Sequence, residues 1–485
     1  MSPVLLFTLV IVYFLLLLVV AWFTSRNANN ESFFIGNRGS NWMLVAFGMI
    51  GTSLSGVTFV SVPGTVGIES FSYFQIIIGN LIGYIVVAYV LLPIYYRMNL
   101  TSIYNYLQVR LGFASYKVGA SFFILSRILG ATARLYLVVN ILHFTILERF
   151  GLPFWVAAFV ILLMILLYTF EGGVKTIVWT DTLQTACMLI GLVVCVFYIL
   201  NNLDMSLMDG TQALAEKGYS NIFVTDPASK YFFVKQIVAG AFISITMTGM
   251  DQEMMQKNIS VRTLKDSQKN MMTFAVIFML VVLLFLFLGG LLQLFAESKN
   301  IAARGDSLFP TIALEYMPAA VSIIFIIALI SALFPSADGA ITALTASFCI
   351  DILGIQRNDH MPDKEKKRIR QIVHLSFAAL FLLMVMVFKW MNNPSMIGLI
   401  LKIAAFTYGP LLGLFAFGIL TKRTVNDALV PVVVVISPIL CFILDMFQSK
   451  IFGSYQIGLE LLFINGLLTF IGLWSIPGKK EISNP

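Results

Sequence analysis

The sequence predicts an all-α integral membrane protein with about thirteen spanning helices, each a run of about 20 mostly apolar residues. Three observations carry that prediction. The 485 residues are 59% hydrophobic and only 11% charged, against about 25% charged in a soluble domain. The apolar residues fall in long runs rather than in short alternating ones. Lysine and arginine concentrate in every second loop, as cytoplasmic loops of membrane proteins do.

Taken in order, the first run (4–22) has no basic segment before it and no small-residue cleavage site after it. It therefore reads as a retained helix, not a signal peptide. The remaining runs are 41–65, 70–96, 118–146, 153–171, 176–200, 232–256, 271–296, 314–353, 370–391, 396–420, 428–447 and 455–477. The run 314–353 is long enough for tilt, a break or a short extra piece. The segment 201–230 is the longest expected outside and has room for a short helix or lid. With the N-terminus outside and the C-terminus inside, inside loops hold about 20 basic residues and outside loops about 7. The inside set includes Arg26, Lys257, Lys479 and Lys480, and the outside set Arg149. The densest basic run, DKEKKRIR (363–370), is expected as an inside loop beside lipid headgroups.

The net charge of +7 thus marks orientation, not nucleic acid. No basic stripe interleaved with aromatics is present. Cys187, Cys195, Cys349 and Cys441 all fall in apolar runs without metal-ligand spacing and read as packing residues. His143, His360 and His374 are scattered, and no HExxH, GxSxG or Walker loop occurs. A membrane enzyme would lack catalytic candidates.

Two spans carry the signs of a break. FGMIGTSLSGVTFVSVPG (47–64) mixes Gly48, Gly51, Gly56, Pro63 and Gly64 with Thr52, Ser53, Ser55 and Thr58. AGAFISITMTGMDQEMMQ (239–256) mixes Gly240 and Gly249 with Ser244, Thr246 and Thr248. They lie five spans apart, and paired interrupted segments point to a transporter built from inverted repeats. Unwound backbone survives at membrane depth only where protein or water covers it, and its freed carbonyls can hold a cation. Helix packing alone would also recruit Gly, Ser and Thr.

Ionisable residues inside the spans are functional hypotheses by default, since each costs about 3 kcal/mol to insert. Asp181 lies in EGGVKTIVWTDTLQ (171–184) and Asp338 in ALFPSADGA (332–340). Arg127 and Arg134, seven apart, share one helix face. Their anions are either Asp181 and Asp338 or a bound substrate; a structural ion pair or snorkelling is the plainer alternative. Carboxylate, hydroxyl and carbonyl oxygens suit a hard cation, and Asp338, Ser336 and Asp181 supply them. A proton needs only a titrating carboxylate, so this chemistry leaves sodium and proton both open.

GGVKTIVWTDTLQ (172–184) resembles the GG-x-x-x-V-x-W-T-D-x-x-Q signature of the sodium:solute symporter family. SLSGVTFVSVPG (53–64) resembles that family's first core helix, LFPSADGAITALTASFCIDI (333–352) its eighth, and YGPLLGLFAFGIL (408–420) its GP-x-x-GLF segment. The likeness runs from about residue 5 to 475. It implies a LeuT-like fold with two inverted five-helix repeats. The limits are then 1–40 for an extra helix and loop, 41–200 for the first repeat and 201–231 for an outside loop. The second repeat covers 232–420, and two extra helices and a short tail cover 421–485.

The resemblance also implies a site. The main sodium would lie on the carbonyls of Gly51, Leu54 and Ala332 and the hydroxyl of Ser336; Pro335 stands where a second hydroxyl is expected. A second sodium would involve Asp181 and two core-helix-8 positions that here are Asp338 and Gly339, so a carboxylate replaces a hydroxyl. Asp338 could then bind sodium with Asp181, pair with an arginine, or carry a proton. The substrate pocket would use Ser53, Ser55, Thr58, Gln75, Asn80, Arg127 and Arg134. Relatives that carry sialic acid hold its carboxylate with an arginine in core helix 3, near Gly130 here and within a turn of both arginines.

The expected function is sodium-coupled symport, not enzyme catalysis. It imports a small polar solute across the cytoplasmic (inner) membrane, a carboxylated sugar or organic acid such as sialic acid. A neutral sugar or polyol is the alternative. From another class, an uncoupled channel or a membrane sensor could use the same scaffold, although the tail after about residue 477 is short for a signalling domain. The expected partners are Na+, the solute and the lipid bilayer, with no nucleic acid, and the expected unit is the monomer.

Overall fold

Backbone amides inside hydrocarbon need internal partners, so apolar runs coil into helices. The computed structural model describes residues 3–25, 30–148, 151–170, 173–357, 360–391, 396–453 and 455–478. Arg26, Arg149, Lys479 and Lys480 of the charge count, and Gly172 of the signature, lie outside the described residues. Among the described residues, eight helices are long and apolar enough to cross a membrane. Two bent pairs also qualify, and three shorter apolar helices accompany them.

In chain order, α1 (Pro3–Thr24) precedes the bent pair α2 (Trp42–Ser53) and α3 (Gly56–Glu69). Then come α4 (Phe74–Arg97), α5 (Phe113–Leu142), α6 (Phe154–Thr169) and α7 (Gly173–Asn202). The second bent pair is α8 (Phe233–Gly249) and α9 (Gln252–Ile259). It is followed by α10 (Leu264–Ser298), α11 (Ala319–Ile352), α12 (Asp363–Met391), α13 (Met396–Leu420), α14 (Val430–Phe452) and α15 (Leu461–Ser475).

Two sequence expectations change. The basic run 363–370 is not a loop but the first turns of α12. Lys, Glu and Arg are strong helix formers, and Asp363 and Glu365 favour a helix N-terminus. Lys257, counted with an inside loop, is buried in α9. Of the outcomes open to the run 314–353, the structure shows a short extra piece: the run divides at Pro318, which caps α11, and its first residues belong to a separate turn, Ile312–Tyr316.

The segment 203–232 folds over one end of the bundle. It holds a short helix, Leu207–Glu216, opened by a capping box in which Ser206 and Asp209 bond each other's backbone. Those bonds hold the exposed Asp209 carboxyl below its usual pKa range. The segment is fastened to the α3–α4 corner. Tyr231 Oη donates to Glu69 Oε1 (2.6 Å) and Phe71 N to Asn221 O (3.0 Å). Gln75 serves this fastening too: its amide donates to Ser72 O and Tyr231 O and accepts from Val224 N.

The bundle centre is set by close helix contacts. α2 packs against α7 and α11, α5 against α11 and α13, and α4 against α8. The α4–α8 crossing is a backbone contact. A Cβ on Gly79 would overlap the Ile237 carbonyl, and one on Gly240 would overlap the Ile76 carbonyl. Small residues that let backbones touch are the usual device of membrane helix packing.

Gly79→Val should therefore lower the melting temperature of the purified protein by an amount equivalent to about 1–3 kcal/mol of overpacking. Gly130→Ala, where an added methyl meets nothing within 4 Å, should leave it unchanged. Fluorescence-monitored thermal unfolding of both variants checks this.

Candidate transport site

The two breaks meet at the bundle centre but are built differently. α2 and α3 bend by 58° at Leu54 (φ −87°, ψ 72°) and Ser55 (φ −65°, ψ 169°), and Ser55 makes no side-chain capping bond. α8 and α9 bend by 65°, after a widened last turn, Ile245–Gly249. Asp251 caps α9 through the N–H groups of Glu253 (2.9 Å) and Met254 (3.2 Å). The carbonyls at this second break are taken: Tyr95 Oη donates to Gly249 O (2.7 Å) and Tyr104 Oη to Met250 O (2.9 Å). A buried carbonyl needs a partner, and here tyrosines supply it.

A cavity of about 120 Å³ lies beside the first break. Ser53, Ser55, Thr58 and Asn80 give it a polar side, Met247, Phe278, Ile400 and Leu401 an apolar one, and Arg127 and Arg134 reach it from α5. Tyr73 and Leu401 line both this cavity and a vestibule of about 210 Å³ below the 203–232 segment. Of the predicted pocket residues, only Gln75 lies away from the cavity, in the loop fastening.

The buried charges pair in a pattern the sequence reading did not foresee. Arg127 forms ion pairs with Glu253 and with Asp251 Oδ2 (3.4 Å), not with Asp181 or Asp338. Tyr408 Oη also donates to Asp251 Oδ2 (2.5 Å). Lys257 Nζ donates to Asp181 Oδ2 (2.6 Å) and Thr52 Oγ1 (2.6 Å), and stands 3.7 Å from Glu253 Oε1. Thr52 in turn donates to Asp181 Oδ2 (3.1 Å). Asp338 accepts from Tyr168 Oη (2.7 Å) and its Oδ1 from Gly339 N (2.5 Å); among the described ion pairs it has no basic partner. The Glu253 carboxylate lies against Gly339, where a Cβ would overlap it. That explains glycine where the resemblance anticipates a serine. Arg134 makes no hydrogen bond or ion pair among the described residues, and it lines the cavity.

Gly51 and Leu54 of the first break and Ala332 and Ser336 of α11 lie on neighbouring helices, and Gly51 packs on Thr185 of α7. Ser336 Oγ donates to Leu333 O (2.9 Å). Asp251, Glu253, Lys257, Tyr168 and Tyr408 were missed by sequence reasoning. The signal for three of them was available: DQEMMQK (251–257) follows a glycine break with an N-capping Asp and a Glu–Lys pair at i,i+4.

Two broken spans around a buried charged centre, in a helical bundle, define a secondary transporter of the LeuT-like class. The chain belongs to the sodium:solute symporter family, whose model matches residues 33–433. It is an integral membrane transporter, not an enzyme, and sodium is its coupling ion. The sodium/sialic acid symporter NanT of Aliivibrio fischeri is 24% identical, over 93% of this chain and 90% of its own. The human sodium/iodide cotransporter is 27% identical over 49% of this chain, and the match spans only 36% of its length. A solved structure of a Na+-coupled sialic acid symporter, substrate-bound and outward-open, superposes with a TM-score of 0.82 at 19% identity. The overlap covers 96% of both chains.

Removing one partner from a buried ion pair leaves an uncompensated charge. Arg127→Met should thus cost about 3–5 kcal/mol of stability, and Arg127→Lys should recover part of it. The readout is the melting temperature of the solubilised protein, compared with wild type in the same detergent.

Proposed function

We propose that the protein imports a small organic anion with sodium, best described as a carboxylated sugar or organic acid such as sialic acid. The observation that carries this reading is Arg134, which lines the cavity and forms no ion pair among the described residues. Arg127 is already matched by two carboxylates, so Arg134 is the cation left for a solute carboxylate, which it can grip with paired N–H groups. The hydroxyls of Ser53, Ser55 and Thr58 and the amide of Asn80, whose Oδ1 has no protein partner, suit the rest of a hydroxylated solute. The named solutes of the relatives, sialic acid and iodide, are anions as well.

The sodium ligands in this reading are the carbonyls of Gly51, Leu54 and Ala332 and the hydroxyl of Ser336. Ser336 spends its proton on Leu333 O and keeps its lone pairs for a cation. Pro335 offers neither a hydroxyl nor an N–H for the Ser331 carbonyl, so this site is lean in ligands. The inverted repeats occupy 41–200 and 232–420, with α2–α3 and α8–α9 as their leading, broken members. Residues 1–40, 201–231 and 421–485 are additions. The protein works as a monomer among the lipids of the cytoplasmic membrane, N-terminus outside and C-terminus inside, with no nucleic-acid partner. The surplus of basic residues in the inside loops supports that orientation.

In proteoliposomes, concentrative uptake of sialic acid should vanish when sodium is replaced by choline at constant pH. Downhill flux that ignores sodium is the result a channel would give. Ser336→Ala should raise the sodium concentration needed for half-maximal uptake. Arg134→Gln should weaken uptake of an acidic solute by roughly 10- to 100-fold, the worth of one hydrogen bond to a charged group. Unchanged acid affinity in Arg134→Gln, with uptake of a neutral hexose or polyol, would shift the assignment to the neutral solute.

A further inference from the structure

We propose that Lys257 is a resident counter-ion that holds the place of a second co-transported sodium at Asp181, so that the protein binds one sodium, at the first break. The inference rests on the sodium-symport reading and concerns how many sodium ions that reading involves.

The observation is the coordination of the ammonium. Oxygens from three elements converge on Lys257 Nζ. Asp181 Oδ2 of α7 and Thr52 Oγ1 of α2 each lie at 2.6 Å, and Glu253 Oε1 of α9 at 3.7 Å. A carboxylate, a hydroxyl and a second carboxylate are the donors a monovalent hard cation takes. A lysine ammonium is itself a compact point charge that meets the same donors. Lys257 is only 3% exposed and Asp181 fully buried, so water does not screen the pair. A sodium ion on the same carboxylate oxygen would stand beside an ammonium at contact distance, and like charges repel most strongly where the dielectric is low.

The ammonium also cannot depart with the solute. Its helix is pinned on both sides: Gln256 Nε2 donates to Phe34 O, Asn270 Nδ2 to Asn258 Oδ1 (2.7 Å), and Tyr96 Oη to Asn258 O (3.0 Å). A charge tethered this way neutralises Asp181 throughout a transport cycle, whereas a bound sodium would leave at each turnover. Oxygens for a sodium remain next to it. Asp181 Oδ1, Gln184 Oε1 and Thr185 Oγ1 are buried without a protein hydrogen bond. They are the ligands an ion would find at Asp181 if the ammonium were removed.

The test is equilibrium binding of radioactive sodium to the purified protein, with choline keeping ionic strength constant and no solute present. The wild type is expected to bind one sodium per chain. Lys257→Met keeps the length of the side chain and removes its charge; it is expected to bind two. Lys257→Met combined with Asp181→Asn removes both charges of the pair and is expected to return to one. Two sodium ions on the wild type, one of them lost in Asp181→Asn, would overturn the inference, because sodium would then sit beside the ammonium. A folded Lys257→Met protein that still binds one would overturn it as well. Where Lys257→Met is not recovered folded, the wild-type stoichiometry decides by itself. A wild type that binds no sodium would overturn this inference and, distinguishably, the proposed sodium ligands at the first break.

Discussion

The ammonium of Lys257 on the carboxylate of Asp181, 2.6 Å away, is the contact on which the centre of the bundle depends. Taking an ion into a membrane bundle costs several kcal/mol unless a counter-charge and hydrogen bonds meet it. Once Lys257 is placed on α9 to meet Asp181 of α7, Glu253 comes within reach of both Lys257 and Arg127. Arg127 then takes Asp251, and Asp251 draws the hydroxyl of Tyr408 from α13. A chain of opposite charges therefore joins α7, α9 and α5 across the second break, and the Tyr408 hydroxyl extends it to α13 by a hydrogen bond. The bent segment is held by electrostatics where hydrogen-bonded helix is missing.

That arrangement divides the work between the two breaks. At the second, tyrosines occupy the carbonyls of Gly249 and Met250, and the charges face one another. At the first, Ser53 and Ser55 border the cavity, and no side chain caps the start of α3. The first break thus has backbone and hydroxyls that no protein side chain caps, while the carbonyls of the second are held by tyrosines. Arg134 lies beside the first and is in no ion pair among the described residues.

Much of the fold was legible in the residues. Apolar run length alone marked the spans, and Gly, Ser and Thr at mid-span marked both breaks, because backbone freed at membrane depth requires small and polar neighbours. Asp181, Asp338 and the two arginines stood out for the same reason any buried ion does. Their partners did not. Arg127 meets Glu253 across more than a hundred residues, and nothing local encodes such a pairing. Lys257 was hidden differently: a basic residue at the end of an apolar run looks like a cytoplasmic loop, and only the turn of the broken span carries it inward. Gln75 misled in the opposite direction. A buried amide on a pocket helix resembles a ligand group, but here it satisfies the backbone of the 203–232 segment. The 363–370 run shows that charge density says where water is, not where a helix stops.

The glycine crossing of α4 and α8 has a mechanical side. Where helices meet through side chains, rotamers can readjust and the surfaces can slip by small steps, as between packed layers that shear. Backbone resting on backbone at Gly79 and Gly240 leaves no such layer. Two spans locked backbone to backbone should move together as one plate, leaving motion to seams filled by flexible side chains. The cavity wall that includes Met247, Ile400 and Leu401 is such a seam by its chemistry, since methionine's unbranched thioether adapts readily. Stiffness in one contact thus decides where the molecule is soft.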